Sequence, residues 1–472
     1  MAEIKKPVAK KAAAPKLADP IAATIDPASQ ELIVRAQKMN IDTVFDRAVQ
    51  MKPCNIGMQG ICCKNCAMGP CRLPLPKGGI EGEDTRKGLC GATANTIAAR
   101  NFIRMIAGGA SAHSDHGRCV AEVFMSAARK ETEAYKIKDT NKLLQIAPWL
   151  EVPITVEEDG EVKDRDIDEI ALEVAEKALN EWGKAEGELY YMKRAPEPLY
   201  EKWKKTGVLP RNIDRELVEF MTYTQMGVEH DYKNIFKQCI RVSLADGWGS
   251  SMLATDLQDV LFGTPYPLQS EANLGVIKHD HVNILVLGHE ALLAEMVVEI
   301  CQKPEMIESA KSKGAKGIQL SGIGCTGSEI MQRHGIPTVG TFMQQDLAIN
   351  TGACDLMVVD VQCAFQDLAN VAKRFHTKLI TTHPIAKMEQ DNVVHIEFDK
   401  HHALEDAERI VKIAIDNFEN RGSEVMIPQY KALAIGGFGV ESIRFHLGGT
   451  FLGSYYTLND NIINGRIRGV AG

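Results

Sequence analysis

Apolar residues in the first half of the chain recur mostly at the spacing of amphipathic helices. This spacing runs from Ser29 to Met51 and from Thr93 to Lys130, with an expected interruption at Gly108–Gly109. A charged stretch with a helical pattern follows from about residue 165 to 245. Residues 1–26 are rich in Lys, Ala and Pro without periodicity, which predicts a disordered tail. The first half is therefore predicted to be α-helical.

The pattern changes near residue 275, where short apolar runs begin to alternate with amphipathic stretches such as Leu292–Cys301 and Leu404–Phe418. The runs predicted to be strands are Val282–Leu287, Gly317–Leu320, Leu356–Val361, Leu379–Thr382, Val393–Phe398 and Ala432–Ile435. This alternation predicts βαβ units, that is, an α/β Rossmann-like domain whose parallel sheet carries helices on both faces. We therefore expect a multidomain protein, with the tail, a helical domain over residues 27–255 and the Rossmann-like domain over residues 256–472.

The last residues, Ile467–Gly472, have the pattern of a further strand at the point where the chain stops. A strand cut at its start leaves backbone groups and apolar neighbours without partners. A frayed terminus is the alternative, but parallel strands are usually buried and continuous. The pattern therefore favours truncation.

Composition restricts the function classes. The 472 residues are 45% hydrophobic and 25% charged, and the formal net charge of −8 gives no reason to expect nucleic acid as a partner. Met1–Lys16 lacks the apolar segment of a signal peptide, and no apolar run reaches the roughly 18 residues of a membrane span. We expect a cytoplasmic protein.

Twelve cysteines are the unusual feature, because in a cytosolic chain they favour metal over disulfides. Half of them lie in one Gly- and Pro-rich segment, namely Cys54, Cys62, Cys63, Cys66, Cys71 and Cys90. Zinc is the first alternative. The number of cysteines, their compact spacing and the lack of interspersed histidine favour iron–sulfur clusters instead.

The adjacent Cys62 and Cys63 should point to opposite sides of an extended backbone and serve different clusters. The natural division assigns four ligands to one [4Fe-4S] cluster, namely Cys63, Cys66, Cys71 and Cys90. Cys54 and Cys62 then remain, two thiolates too few for a second cluster. Either this pair binds nothing, or a two-fold axis doubles it, which predicts a homodimer with a bridging cluster.

His289, Cys325 and Cys363 each lie just past a predicted strand of the second half. In parallel sheets, ligands bind at the carboxyl ends of the strands. A shared metal site is therefore expected there.

Several motifs together resemble the anaerobic nickel–iron–sulfur carbon monoxide dehydrogenases. They begin with the cysteine segment, including its Gly60-Ile61-Cys62-Cys63 and Gly69-Pro70-Cys71-Arg72 stretches, and continue with Ala112-His113, Ala245-Asp246-Gly247, Leu261–Pro265, Ser270–Asn273, Gly288-His289, Gly322–Gly327 and Asp360–Cys363. They occur in the family's order and cover essentially the whole chain after the tail. The chain is therefore identified as similar to the catalytic subunit of that family.

The resemblance implies oxidation of CO and water to CO2, two protons and two electrons, with a ferredoxin-like acceptor. It implies a homodimer with one [4Fe-4S] cluster in each subunit and one that bridges the dimer through Cys54 and Cys62. It also implies a nickel–iron–sulfur active cluster whose first three protein ligands match His289, Cys325 and Cys363.

The resemblance further implies that His113 is a catalytic proton donor, that His116 relays protons and that Asp246 orients a catalytic lysine. From the residues alone, a lone helical histidine is more often structural, and Asp246 could equally be a turn aspartate. Relatives continue the relay with further histidines, but Cys119 and Glu122 occupy those positions here. Cys119, Cys239, Cys301 and Cys354 are isolated and are interpreted as structural.

The family's second Rossmann-like domain, with three more cysteine ligands and the lysine, has no counterpart before Gly472. We therefore expect this chain alone to leave the active cluster incomplete. The alternatives are a fragment, a premature stop, a split enzyme completed by a second chain, and a non-catalytic iron–sulfur electron-transfer protein. A hydroxylamine reductase of the hybrid-cluster type is a further alternative, but Cys54 and the Cys62–Cys63 pair count against it.

Overall fold

A computed structural model of the protein describes residues 16–446 and 455–469. The helices are α1 (Pro20–Ala23), α2 (Pro27–Lys38), α3 (Val44–Gln50), α4 (Asn55–Met58), α5 (Ala94–Ala128), α6 (Thr140–Ile146), α7 (Ile167–Gly183), α8 (Glu197–Thr206), α9 (Ile213–Tyr223), α10 (Tyr232–Leu244), α11 (Met252–Phe262), α12 (Leu292–Cys301), α13 (Pro304–Ser312), α14 (Gly324–His334), α15 (Gln345–Asn350), α16 (Leu368–Ala372), α17 (Ala403–Asn417), α18 (Val440–His446) and α19 (Tyr456–Ile463). Short 3-10 turns cover Ala147–Leu150, Tyr190–Arg194, Leu274–Val276, Phe342–Gln344 and Phe418–Asn420.

The predicted disordered tail is partly ordered. Residues 1–15 lie outside the described residues. In residues 16–26, however, Asp19 caps α1, and the buried Ala18 donates its N–H to the Asp46 carboxylate at 2.9 Å. The prediction of disorder is wrong for residues 16–26, because a contact distant in sequence holds this segment.

Helix α5 organises the helical half. It is 35 residues long, Thr93 caps its first turn, and α7, α9, α10 and α11 pack around it. Gly108 and Gly109 do not interrupt it, contrary to the expectation from sequence. Both glycines are exposed, and the helical cost of about 1 kcal/mol for each is offset by packing of buried neighbours such as Ala107 and Ala110.

The strands are β1 (Cys62–Cys63), β2 (Cys71–Arg72), β3 (Thr155–Glu158), β4 (Glu161–Asp164), β5 (Leu268–Ala272), β6 (Val282–Gly288), β7 (Ile318–Ile323), β8 (Thr338–Gly340), β9 (Leu356–Val359), β10 (Lys378–Thr381), β11 (Val393–His395) and β12 (Ala432–Gly436). Eight of them form one sheet in the order β11-β10-β9-β6-β7-β8-β5-β12. The predicted α/β sheet is confirmed for β6, β7, β9, β10 and β11, which pair in parallel.

Three features of the strands differ from the prediction. β12 runs antiparallel to β5 at the sheet edge, a direction that the apolar pattern of Ala432–Ile435 cannot specify. The short strands β5 and β8 were not predicted. Polar residues interrupt the apolar pattern of β5, and β8 spans only three residues. The hairpin β3–β4 is exposed throughout, and its Asp159-Gly160 turn is the signal that would have revealed it.

Both faces of the sheet are covered, as predicted. Alternate residues of β6 enter two different cores: Ile284 and Val286 pack with α12 and α17, whereas Leu285 and Leu287 pack with α2, α15 and α16. Arg47 of α3 also pairs with Asp346 at 2.8 Å. Helices α2 and α3, which precede the cysteine segment, therefore pack against the α/β core across the predicted boundary at residue 255.

Two further expectations concern the chain as a whole. Residues 467–469 are not in a strand, and residues 470–472 lie outside the described residues, so the predicted terminal strand is not seen in the part that the structure covers. Among the described helices, none combines the length and the apolar character needed to cross a bilayer.

Candidate active site and metal centres

The sheet reverses its winding between the neighbouring strands β6 and β9. From β6 the chain builds β7 and β8 on one side, and afterwards β9, β10 and β11 on the other. At such a switch point the connections diverge and leave a crevice at the carboxyl ends of the strands, where ligands bind. His289 follows β6 and Asp360 follows β9, so both border this crevice.

Asp360 joins the segments that follow β6, β7 and β9. Its buried carboxylate accepts the N–H groups of His289 at 2.7 Å and Glu290 at 3.2 Å, and the hydroxyl of Thr326 at 2.6 Å. Burial raises the pKa of Asp360 to about 6, although these hydrogen bonds favour its charged form. A Cβ added at Gly288 would lie 1.8 Å from Asp360 Oδ1, so this contact requires glycine.

The three predicted active-cluster ligands lie beyond the carboxyl ends of three neighbouring strands that border this crevice. Cys325 lies in the first turn of α14, directly after β7, and Cys363 lies in the turn after β9. Gln345 holds that turn by donating from Nε2 to the Cys363 carbonyl at 2.9 Å. Burial raises the pKa of Cys325, and the nearby Cys363 thiol raises it further. Cys325 and Cys363 thus follow the two strands that flank β6, which is the strand before His289.

His289 presents a nitrogen that suits a metal. The residue is buried, and burial, followed by the nearby His113, lowers its pKa to about 4. Its Nε2 is buried and has no hydrogen-bond partner in the part of the chain that the structure describes. Buried polar atoms without partners are rare in folded proteins, and neutral imidazole is the form that binds metals. The chemistry of this position fits the predicted ligand role.

Two histidines of α5 pack against His289. The His113 ring stacks on it with centroids 5.1 Å apart, and the His116 ring meets it edge-on at 4.7 Å. His113 Nδ1 lies 2.8 Å from Asp246 Oδ1, and this hydrogen bond raises the pKa of His113 despite partial burial. Burial lowers the pKa of His116 to about 3, so this ring is neutral near pH 7. The structure thus brings His113, His116 and Asp246 to one site.

Asp246 lies on a π-helical segment, Ala245–Ser251, between α10 and α11. Such wide turns are rare and occur frequently at functional sites. The segment places a second group beside His113, because Ser251 Oγ lies 3.3 Å from the same ring nitrogen. Sequence reasoning missed Ser251, since a single serine in a helical stretch carries no distinguishing pattern.

The cysteine segment forms a compact loop with a two-strand ladder. Cys63 pairs with Cys71 and Cys62 with Arg72 in the antiparallel register of β1 and β2, and Cys66 lies in the loop between them. Side chains alternate along a strand. Cys62 and Cys63 therefore point to opposite sides, which is the geometry that the sequence predicts for ligands of different clusters.

Two contacts hold this loop in place. Leu89 donates its N–H to Cys71 Sγ at 3.5 Å, which brings the turn that carries Cys90 against the loop. Asn101 of α5 donates from Nδ2 to the Cys62 carbonyl at 3.0 Å. The four cysteines assigned to one cluster thus lie on neighbouring turns that are anchored to the long helix.

Cys54 lies at the exposed side of the loop. Its pKa is lowered by the backbone N–H groups of Gly57 and Ile56 at the start of α4. An apolar groove of about 930 Å³ adjoins it between α4, α5 and α10, and Met58 and Met105 on its walls are 71% and 69% exposed. Large exposed apolar surfaces of this kind mark interaction sites.

Comparison with known proteins shows the family to which the chain is similar. The model of the Prismane/CO dehydrogenase family matches residues 61–472. The chain is 46% identical to carbon monoxide dehydrogenase 1 of Methanosarcina acetivorans over 95% of this chain and 68% of the relative. It is 41% identical to carbon monoxide dehydrogenase 1 of Carboxydothermus hydrogenoformans, over 95% of this chain and 69% of the relative.

Solved structures give the same result. The Ni-free crystal structure of carbon monoxide dehydrogenase from Thermococcus sp. AM4 superposes with a TM-score of 0.87 at 44% identity, over 95% of this chain and 69% of that chain. This chain thus spans about two thirds of the length of the proteins that it resembles.

Proposed function

This chain belongs to the Prismane/CO dehydrogenase family, and we propose on that basis that it catalyses anaerobic oxidation of carbon monoxide. CO and water become CO2, two protons and two electrons, which pass to a ferredoxin-type acceptor. The observation that carries the proposal is that His289, Cys325 and Cys363 follow the neighbouring strands β6, β7 and β9, with the His113 ring stacked on His289. In this proposal residues 27–255 form the cluster-bearing helical domain, whose helices α2 and α3 pack against the Rossmann-like domain of residues 256–472.

His289, Cys325 and Cys363 would hold the nickel–iron–sulfur cluster. The unpartnered Nε2 of His289 fits a metal ligand, and two thiolates suit nickel and iron in a sulfide cage. When bound, the cluster supplies Lewis acidity and accepts the two electrons of the reaction. Asp360 contributes by holding the His289 backbone in place.

His113 is proposed to move the proton. Because Asp246 accepts the hydrogen bond from Nδ1, the imidazole is oriented with Nε2 free to take up or release a proton. The carboxylate also stabilises the protonated ring. His116, one helical turn further along α5, would exclude bulk water and pass protons outward. Cys119 and Glu122 follow His116 along α5 at the same three-residue spacing.

Electrons are proposed to leave through the cysteine loop. Cys63, Cys66, Cys71 and Cys90 would bind one [4Fe-4S] cluster. Helix α5 connects the two centres, because Asn101 contacts the cysteine loop and His113 contacts His289. At 1.5 Å per residue, Asn101 and His113 lie about 18 Å apart along the helix. The helix would therefore set the distance between the [4Fe-4S] cluster, which accepts the electrons, and the active site.

A homodimer is proposed around Cys54 and Cys62. Two copies related by a two-fold axis would supply four thiolates to a bridging [4Fe-4S] cluster. The apolar groove beside Cys54 supports this arrangement, because an isologous contact would bury it. Once reduced, this exposed cluster would pass electrons to the ferredoxin-type acceptor.

The activity is tested on protein purified anaerobically from nickel-supplied cells, together with any chain that co-purifies. We expect CO-dependent reduction of a viologen dye. Hydroxylamine-dependent dye oxidation without CO oxidation would instead assign the protein to the hybrid-cluster branch. Iron- and nickel-replete protein that does not respond to CO would contradict the proposal.

A matched pair of cysteine variants tests the ligand assignment. Cys363→Ala should remove nickel and CO oxidation, because the active cluster loses a thiolate. Cys354→Ala, nine residues earlier and fully buried, should retain both. Equal nickel content in the two variants would refute the role of Cys363.

The electron-transfer clusters are tested by Cys71→Ser and Cys54→Ser. The first should lower iron content and block dye reduction while the α/β half stays folded. The second should remove the bridging cluster and weaken the dimer, as measured by iron analysis and light scattering. Unchanged iron in both variants would overturn the assignment.

A further inference from the structure

One turn beyond His116, α5 presents Cys119 to the carboxyl ends of two strands. Glu290 follows β6 and His383 follows β10. The potential donor atoms of Cys119, Glu290 and His383 all lie within 4.8 Å of one another. His383 Nε2 is 3.8 Å from Glu290 Oε2. Three elements far apart in sequence thus bring a thiol, a carboxylate and an imidazole to one point.

The three side chains are largely buried, and buried polar groups need a binding partner. Glu290 and His383 are 5% and 7% exposed, and Cys119 is partly buried. Oε2 of Glu290 is buried and has no hydrogen-bond partner of ordinary geometry among the described residues. A buried carboxylate oxygen without a partner is costly, unless a proton or a cation satisfies it.

We propose that Cys119, Glu290 and His383 form a site for one zinc-type divalent metal ion. Sulfur, imidazole nitrogen and carboxylate oxygen together are a zinc donor set, and three protein ligands leave a fourth position for water. Tetrahedral bonds of about 2.0–2.3 Å place such ligands roughly 3.3–3.8 Å apart, so the side chains must close by about 1 Å. Calcium prefers oxygen ligands alone, so it does not suit the Cys119 thiol.

Access to the site is open on one side. A cavity of about 450 Å³ adjoins the three ligands, and Glu122, Glu397 and Asp399 line it. Their negative charge favours the approach of a cation, and the cavity has room for the water that completes the coordination. Lys400 also lines the cavity and Lys387 pairs with Glu397 at 3.0 Å, so the negative charge of the three carboxylates is lessened but not cancelled.

The site is distinct from the proposed active cluster. His289 faces His113 and His116, whereas Glu290 faces Cys119 and His383. A bound ion would tie α5 to the ends of β6 and β10 one helical turn from the active site. It would occupy the stretch where relatives are expected to continue a histidine relay. The inference does not depend on CO chemistry.

The test uses anaerobically purified protein with its iron–sulfur clusters in place, washed with a chelator and then equilibrated with Zn²⁺ at micromolar free concentration. We expect about one zinc per chain, and X-ray absorption at the zinc edge should show one sulfur, one imidazole and oxygen ligands. Cys119→Ala should bind zinc at least about tenfold more weakly, with unchanged iron. The matched control is Cys239→Ala, a partly buried cysteine of α10 outside the site.

The possible outcomes separate clearly. Equal zinc in wild-type protein and Cys119→Ala overturns the proposal, as does a zinc spectrum with four sulfur ligands, which would indicate adventitious binding at the cluster cysteines. Glu290→Gln, which is nearly isosteric, provides a second variant if Cys119→Ala loses iron. The proposal predicts weaker zinc binding in that variant as well.

Discussion

At the scale of single residues, the crevice depends on a few side chains that hold others in place. Asp360 accepts hydrogen bonds from residues that follow β6 and β7, and Asp246 orients His113. The buried Asp360 carboxylate thus ties together the ends of β6, β7 and β9. Removing either carboxylate should therefore act through its neighbour, His289 or His113, rather than through contact with substrate.

The first residue-scale prediction concerns Asp360→Ala. The buried N–H groups of His289 and Glu290 lose their acceptor, at about 1–3 kcal/mol each. The His289 backbone should then shift, and nickel content should fall several-fold while iron in the cysteine loop remains. Metal analysis measures both. Asp391→Ala, which changes an exposed carboxylate paired with Lys373, is the control and should leave nickel unchanged.

The second residue-scale prediction concerns Asp246→Asn. His113 would keep its place but lose the charged acceptor that orients and stabilises its protonated ring, so CO oxidation should fall about 10²-fold with metal content unchanged. In the double variant His113→Ala/Asp246→Asn the loss should be no larger than in His113→Ala alone. Additive losses would show that Asp246 acts independently of His113.

At the scale of elements, the helical half is held by buried polar ties as well as by apolar packing. The Glu216 carboxylate of α9 accepts hydrogen bonds from Arg211 Nε at 2.8 Å and from Gln238 Nε2 of α10 at 2.9 Å. Burial alone would raise the pKa of Glu216, but these hydrogen bonds outweigh it and lower the pKa below its ordinary value. This contact fixes α9 against α10, the helix that leads into the π-helical segment with Asp246.

The prediction at this scale is a pH-dependent loss of stability in Glu216→Gln. A lowered folded-state pKa stabilises the protein above the ordinary glutamate pKa, and this contribution disappears as pH falls through the folded value. The variant should lose about 1–3 kcal/mol at pH 7 and progressively less toward pH 4. Urea unfolding followed by circular dichroism measures the difference. Glu176→Gln, at an exposed position of α7, should show no comparable loss, and a deficit independent of pH would contradict the explanation.

At the scale of the whole molecule, α5 and the sheet have different roles. The long helix reaches from the cysteine loop at Asn101 to the crevice at His113, and the sheet supplies the ligands at its switch point. The apolar groove on the outer side of α5 lies beside Cys54 and would become interior only in an assembly. Dimerisation and cluster content should consequently be linked.

The whole-molecule prediction tests this link with Met105→Glu. A charge placed in the groove should shift the protein toward monomer by at least about tenfold in dissociation constant, because burying an unpaired carboxylate is costly. Iron should fall by one cluster per dimer, as measured by light scattering and iron analysis. Ile385→Glu, an equally drastic change at an exposed position after β10, should leave the dimer intact. A dimer unaffected by Met105→Glu would place the interface elsewhere.

The sequence by itself determined the class of the protein and the strands at the centre of its sheet, such as β6 and β9. Strand β6 and helix α12 match the predicted bounds within one residue, because apolar periodicity is a local property. The placement of His289, Cys325 and Cys363 after strands followed from the same pattern, and the motifs indicated the family that comparison confirms.

Only the tertiary structure decided what depends on contacts distant in sequence. The direction of β12, the continuity of α5 through Gly108–Gly109 and the ordering of residues 16–26 arise from packing that no local pattern encodes. The same holds for Ser251 beside His113 and for the group formed by Cys119, Glu290 and His383. Each of these polar side chains is unremarkable in its own segment, and its chemistry appears only when separate elements fold against one another.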